Sequence, residues 1–522
     1  MARRGITHLL EHLVLHPMGT ADYHYNGSTG SVVTSFHLQG TADDVAGFLA
    51  AVCRFLQDPP VHRLSVEKDI LRTERSSRNR GVAAALPLWR YGARGYGLPA
   101  YPEWGVHAVS EEELLQWAAA HFTRDNAVLW VAGDDVPAGL RLDLPSGRRV
   151  PLPAPTSALP ATPAYFMGGS HATALDAVVT HRPAGPVFAS DLQRQLFCAL
   201  RQEGGLSYTT ATDYDPRGDG FATLTALADA LPGKQDAVLG GFLDLLAAIR
   251  TGRIPEADLA AVQTQAMDEL ARLEADAARL PAAAFGVLTG RPVRSADELA
   301  QEVKAVTAAD VHEVATEAMA GALLMTPAGT TADGAGFAAA PNTSSDAVEG
   351  RTYCAIAGPE RLVVGEDGVS VLSAGGEPAT VRFDRCVVML AFPDGGRYFI
   401  GDDGLAVAVE PTLFRGADRV RLDERFPADR RVDLPARDPD QIPRPARRDQ
   451  RPMRELPAPQ RNALVLVGLI AAVTTGLAAY LTGSMIIGTA DHEAAQPVAA
   501  WLIAAVFGYT FGKHWRRLRR RW

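Results

Sequence analysis

Cysteine is scarce in this chain. The four present among 522 residues, Cys53, Cys198, Cys354 and Cys386, lie far apart with no C-x-x-C pair. That argues against a thiolate metal site and a disulfide framework, and leaves a reducing compartment as the simpler reading. Positive charge is also scarce over most of the length. Of 51 Lys and Arg and 60 Asp and Glu, 12 and 4 fall from residue 441 onward, leaving 39 against 56 in residues 1–440. A body this acidic is a poor partner for nucleic acid, whose phosphates call for clustered Lys and Arg. The first residues lack the apolar core of a signal peptide, so nothing at this end predicts export. Length, by contrast, is ample: 522 residues exceed one hydrophobic core and predict about three or four units.

Residues 1–140 mix helical and strand-like patterns, with apolar periodicity at Ile6–Leu15 and 45–56 and an extended run at 127–132. Proline crowds 144–163 and sustains neither helix nor strand, so 141–163 is expected to join two halves. The second half, 164–325, repeats the mixture, with helices expected at 191–201, 236–250 and 256–277 and a strand at 220–228. The Gly, Ala, Ser and Thr run 326–350 is expected to be a flexible linker. Beyond it, 351–425 shows short alternating strands broken by Gly and Asp turns, the pattern of a small β-barrel or sandwich. It carries no catalytic constellation.

A tether rich in Pro and Arg (426–461) leads to 462–488, an uncharged run long enough to cross a bilayer, and then to a second apolar run at 497–512. Together 462–513 predict a transmembrane hairpin with a basic tail, 514–522. Arginines crowd both outer flanks, so the positive-inside rule puts both ends and the whole body on the cytoplasmic side of a membrane, bacterial plasma membrane being the expected one. The expected fold class is therefore α+β: two similar halves, a small β-rich domain and a C-terminal membrane hairpin in contact with lipid.

Chemistry concentrates near the start, in His8-Leu9-Leu10-Glu11-His12. Residues four apart share a helical face, so both imidazoles can reach one zinc ion, a metal that neutral imidazole suits. Glu11 lies on the same side and is close enough to take a proton from water. A hydrolytic zinc site uses three protein ligands, and Glu74 is the candidate third. Glu67, seven residues earlier and so on the same helical face, is placed to orient a histidine ligand. An exposed helix bearing two His and a Glu needs no metal, and that reading stays open on the motif alone. His16, His24, His37, His62 and His121 read as surface or packing histidines.

With Gly5-Ile6-Thr7 before the motif and Leu13 after it, the segment resembles the signature of the pitrilysin/insulinase family of zinc peptidases. Further stretches resemble that family in order: Glu67 to Glu74; Tyr96-Gly97 through Phe122-Thr123-Arg124-Asp125-Asn126 to Val131-Ala132-Gly133-Asp134; and Leu200-Arg201-Gln202-Glu203 to Tyr208. The resemblance covers about 1–325 and implies two pitrilysin-like halves. It also implies His8, His12 and Glu74 as zinc ligands, Glu11 as general base, and Arg201 and Tyr208 holding substrate backbone. Asn26 to Phe36 would form a sheet edge that receives the peptide as an added strand, although Asn26-Gly27-Ser28-Thr29-Gly30 reads equally well as a turn. The implied activity is hydrolysis of peptides or unfolded polypeptide segments at the membrane. The alternative is a catalytically inactive subunit that binds peptides or pairs with an active homologue as a homo- or heterodimer. Two departures from the family are expected to matter. Only seven residues precede the motif, which predicts either a misplaced start or an incomplete first sheet, and the His12 to Glu74 interval is short, with the loss near residues 17–23.

Overall fold

Helix α1 (Ile6–Leu15) sets the geometry of the first half. Its apolar residues recur at Ile6, Leu9, Leu10, Leu13 and Val14, an i, i+3, i+4 stripe, and all five are buried. Helix α2 (Ala42–Gln57), started by a Thr41–Asp44 capping box, lays Phe48, Val52 and Leu56 into the same cluster. The hairpin β1 (His24–Thr29) and β2 (Thr34–Gln39) covers α1 from another side. Tyr25, Gly27, Thr29, Phe36 and Leu38 alternate on its inner face, while His24, Asn26, Ser28, Ser35 and His37 face solvent. Helices α3 (Leu64–Ser77), α4 (Gly81–Tyr91) and α5 (Glu111–His121) follow.

This computed structural model describes residues 1–445 except 20–23, 78–80, 154–155, 232, 253 and 273–274. The expected transmembrane hairpin 462–513, the tail 514–522 and residues 446–461 of the tether lie outside the described residues. Among those described, no helix is long and apolar enough to cross a membrane. Contacts divide the chain into Met1–Pro443 and Arg444–Trp522, and everything below concerns the first unit.

The second half is built on a six-stranded sheet of order β5-β6-β4-β7-β3-β8. Its strands are β3 (Ala164–Met167), β4 (Thr173–Thr180), β5 (Thr210–Pro216), β6 (Phe221–Ala228), β7 (Leu323–Thr326) and β8 (Ala338–Ala339). Helices α6 (Ala184–Leu196), α7 (Gln235–Thr251), α8 (Glu256–Ala271) and α9 (Ala308–Ala320) pack on one face, around Phe188, Leu192, Leu224 and Phe242. Helix α4 covers the other face. Leu86 and Trp89 meet Phe166, Leu323 and Met325 there, and Arg90 pairs with Asp176 on β4, both buried.

Residues 350–434 form two further four-stranded sheets, β12-β11-β10-β9 and β15-β14-β13-β16. The first joins β9 (Gly350–Cys354), β10 (Arg361–Gly365), β11 (Gly368–Leu372) and β12 (Pro378–Arg382). The second joins β13 (Cys386–Ala391), β14 (Arg397–Gly401), β15 (Ala406–Val409) and β16 (Arg431–Asp433).

Several expectations need correction. The two halves are not alike in their sheets: among the described residues the first has only the β1–β2 pair. The run 127–132 is not a strand: among the described residues no strand pairs with it, and Leu129 and Trp130 are left exposed. The run 326–350 is not a loose linker, since β8 pairs in parallel with β3 and Phe337 and Val348 are buried. The expected helix 256–277 ends at Ala271, where Arg272 turns extended. The expected start of the tether, 426–434, belongs to the β-rich part instead: β16 pairs with β13, and Phe426, Val432 and Leu434 are buried.

Candidate metal centre

Helix α1 turns His8 and His12 toward α3, and α3 returns Glu74 to meet them. Each histidine Nε2 lies 3.7 Å from Glu74 Oε2, and the three donor atoms all fall within 4.8 Å of one another. A tetrahedral zinc ion, with bonds of about 2.0–2.1 Å, separates neighbouring donors by about 3.4 Å, so each His–Glu pair would close by about 0.3 Å around it. Two imidazole nitrogens and one carboxylate oxygen are a donor set that zinc accepts, with a further position left for water or substrate. The residues therefore fit the metal.

The far nitrogens of the two rings are held as well. His12 Nδ1 lies 3.4 Å from Glu67 Oε2. Glu67 is almost wholly buried, and its other oxygen accepts from Arg63 at 3.1 Å and sits 3.9 Å from His16 Nδ1. His8 Nδ1 lies 3.0 Å from Glu103 Oε2. Burial disfavours the charged form of the His8 ring. The Glu103 hydrogen bond and the carboxylates of Glu103, Glu11 and Glu74 outweigh that burial and hold its pKa above the ordinary histidine value.

Glu11 is buried beside His8 and His12 and is fixed by the hairpin. Thr29 donates a 2.6 Å hydrogen bond to its Oε2. Gly27 brings the β1 backbone so near that a Cβ at that position would lie 2.8 Å from Glu11 Oε1. Asn26 neighbours this contact on the solvent face and accepts from the Gly27 N–H at 2.9 Å. The hairpin has two strands, so among the described residues each has one edge without a strand partner.

Arg201 and Tyr208 come together with each other rather than with His8, His12 and Glu74. Arg201 rides on a π-helical segment, Phe197–Glu203, that continues α6, and its guanidinium stands 5.0 Å from the Tyr208 ring and 5.2 Å from that of Phe197. Tyr208 is 75% exposed. Its loop is tied down by Asp229 Oδ1, which accepts from Ser207 Oγ and the Tyr208 and Thr209 N–H groups. Among the described residues no hydrogen bond or ion pair joins this pair to His8, His12 or Glu74.

Glu103, Thr29 and Gly27 did not emerge from the sequence. Thr29 and Gly27 lie inside the stretch read as a receiving edge, where a Gly within a strand signals close backbone approach. Glu103 follows no spacing rule.

No family model matches the sequence, and no curated protein matches it. Solved structures do. A protease from Helicobacter pylori superposes with a TM-score of 0.52 at 16% identity, over 63% of this chain and 90% of that one. The inactive domain of a peptidase M16 from Pseudomonas fluorescens superposes at 0.51 with 15% identity, over 63% and 89%. The chain shares their fold. One of these structures is a protease and the other an inactive domain, so the peptidase-like fold does not by itself carry an activity, and function has to be argued from the side chains.

Proposed function

We propose that this chain is a membrane-anchored zinc metallopeptidase that hydrolyses peptides or unfolded polypeptide segments. The observation that carries the reading is the convergence of His8 Nε2, His12 Nε2 and Glu74 Oε2 beside the buried carboxylate of Glu11. Zinc held there would act as a Lewis acid and make water a competent nucleophile at neutral pH. The side chains divide the remaining tasks. His8, His12 and Glu74 hold the metal, and Glu67 orients His12. Glu11 accepts a proton from the attacking water and passes it to the departing amine, with Thr29 keeping one of its oxygens in place. The edge of β1 away from β2, including Asn26, receives the substrate as an extended strand, a mode that selects unfolded backbone more than sequence. Arg201 and Tyr208 are assigned to the substrate from the second half. The hairpin 462–513 supplies the anchor, with the body on the cytoplasmic side.

The test is Glu11→Gln in the full chain, which should retain zinc and lose cleavage of an unfolded polypeptide. Full activity in that variant would end the mechanism. A second reading draws on the two-stranded first sheet: a non-catalytic subunit that binds peptides or pairs with an active homologue. Negligible zinc in the purified full chain would favour it.

A further inference from the structure

The segment carrying Glu103 is pressed against the start of α1 by two glycines. A Cβ on Gly5, whose φ is +95°, would lie 2.4 Å from Val106 Cγ2 and 2.8 Å from Glu103 Cβ. A Cβ on Gly105 would lie 2.5 Å from both Ala2 O and Arg4 N. Only glycine permits either approach. Arg4 fastens the same segment by donating to Tyr101 O at 2.8 Å and Pro99 O at 3.1 Å. Two contacts tie it to α3: Lys68 Nζ donates to Val109 O at 2.6 Å, and Arg72 Nε to His107 Nδ1 at 3.2 Å.

On its far side Tyr101 is buried in one cluster with Val388, Leu390, Ile400, Val432 and Leu434, and Trp104 packs against it. The 99–107 segment is thus clamped between α1 and the β13–β14–β16 sheet. The clamp holds Glu103 Oε2 3.0 Å from His8 Nδ1. A carboxylate there accepts the Nδ1 proton, which leaves the lone pair on Nε2, the nitrogen facing Glu74.

We propose that Glu103 is a positioning residue of the metal centre, fixing the tautomer and ring orientation of His8 as Glu67 does for His12. This inference rests on the zinc reading above. It gives the β-rich part, which has no catalytic constellation of its own, a role in holding the segment that aims a ligand.

The experiment is zinc affinity of the full chain by chelator competition, for wild type, Glu103→Ala and Glu103→Gln. It is read together with the absorption spectrum of the Co²⁺-substituted proteins and the thermal unfolding of the metal-free proteins. Glu103→Ala should weaken zinc by about 10- to 100-fold and alter the cobalt spectrum. Glu103→Gln keeps an acceptor oxygen and should recover most of the affinity. Wild-type affinity and spectrum in Glu103→Ala would overturn the proposal. So would equal losses in both variants with matching losses of metal-free stability, since that would mark a merely structural role. If wild type itself binds no zinc, the metallopeptidase reading fails and this inference falls with it. That result differs from a zinc-binding wild type indifferent to Glu103.

Discussion

Replacing Gly27 with alanine should damage the centre without touching a ligand. The added Cβ would lie 2.8 Å from Glu11 Oε1, 2.9 Å from Glu11 Cγ and 2.9 Å from Leu15 Cδ1, where ordinary contact begins at 3.4 Å. Glu11 or the β1 backbone must therefore give way by about 0.6 Å, the difference between 3.4 and 2.8 Å, and the Thr29 hydrogen bond to Glu11 is strained in either case. Overpacking of this kind costs about 1–3 kcal/mol. Misplacing a catalytic group by about 1 Å can cost about 100-fold in rate, so a fall of about 10- to 100-fold in kcat/KM is expected. At about 2.1 cal/mol/K per residue, a 443-residue unit unfolding as one has an entropy near 0.9 kcal/mol/K. Each kcal/mol then moves Tm by about 1 °C, which gives a fall of about 1–3 °C. Peptide hydrolysis, differential scanning calorimetry and zinc content measure the three quantities, with zinc expected to stay. Gly47→Ala, on α2 with nothing within 4 Å of the new Cβ, is the control and should be neutral or stabilising by up to about 1 kcal/mol. A Gly27→Ala variant with wild-type kcat/KM and Tm would refute the reasoning.

Arg90→Met should strip the buried Asp176 of its partner and leave the Asp176 and Gly321 carbonyls without their Arg90 donor, at a cost of about 3–5 kcal/mol. Adding Asp176→Leu should return much of that stability; a double variant no more stable than the single one would contradict this. Asp191, buried in α6, has its pKa pushed from 3.8 to about 6, mainly by burial. Its neutral form suits the fold, so this contribution is intact below about pH 3.8 and lost as pH rises through about 6, reaching about 2–3 kcal/mol. Asp191→Asn should accordingly raise Tm at pH 8 and change it little at pH 4, and an equal effect at both would rule out the charge as the cause.

The parts legible in the sequence are those governed by local spacing. The stripe in α1, the i, i+4 histidines and the seven-residue interval between Glu67 and Glu74 follow from helical periodicity, and the structure gathers those side chains around one point. What escaped depends on distant partners. Glu103 reaches His8 across 95 residues of sequence, through a turn held by Gly5 and Gly105. The two residues of β8 and the three of β16 are strands only because β3 and β13 lie beside them in parallel. The run 127–132 has the composition of a strand but, among the described residues, no such neighbour, so its β-propensity goes unused. Arg201 and Tyr208 stack on each other because α6 passes into a π-helical turn, which no apolar period announces.

The central claim is a zinc ion held by two histidines and a glutamate. Its most direct test is the zinc content of the purified full chain by elemental analysis, beside His8→Ala and Glu74→Ala. The account predicts one zinc per chain, lost in both variants. A metal-free wild type, or zinc retained at full occupancy in either variant, would contradict it.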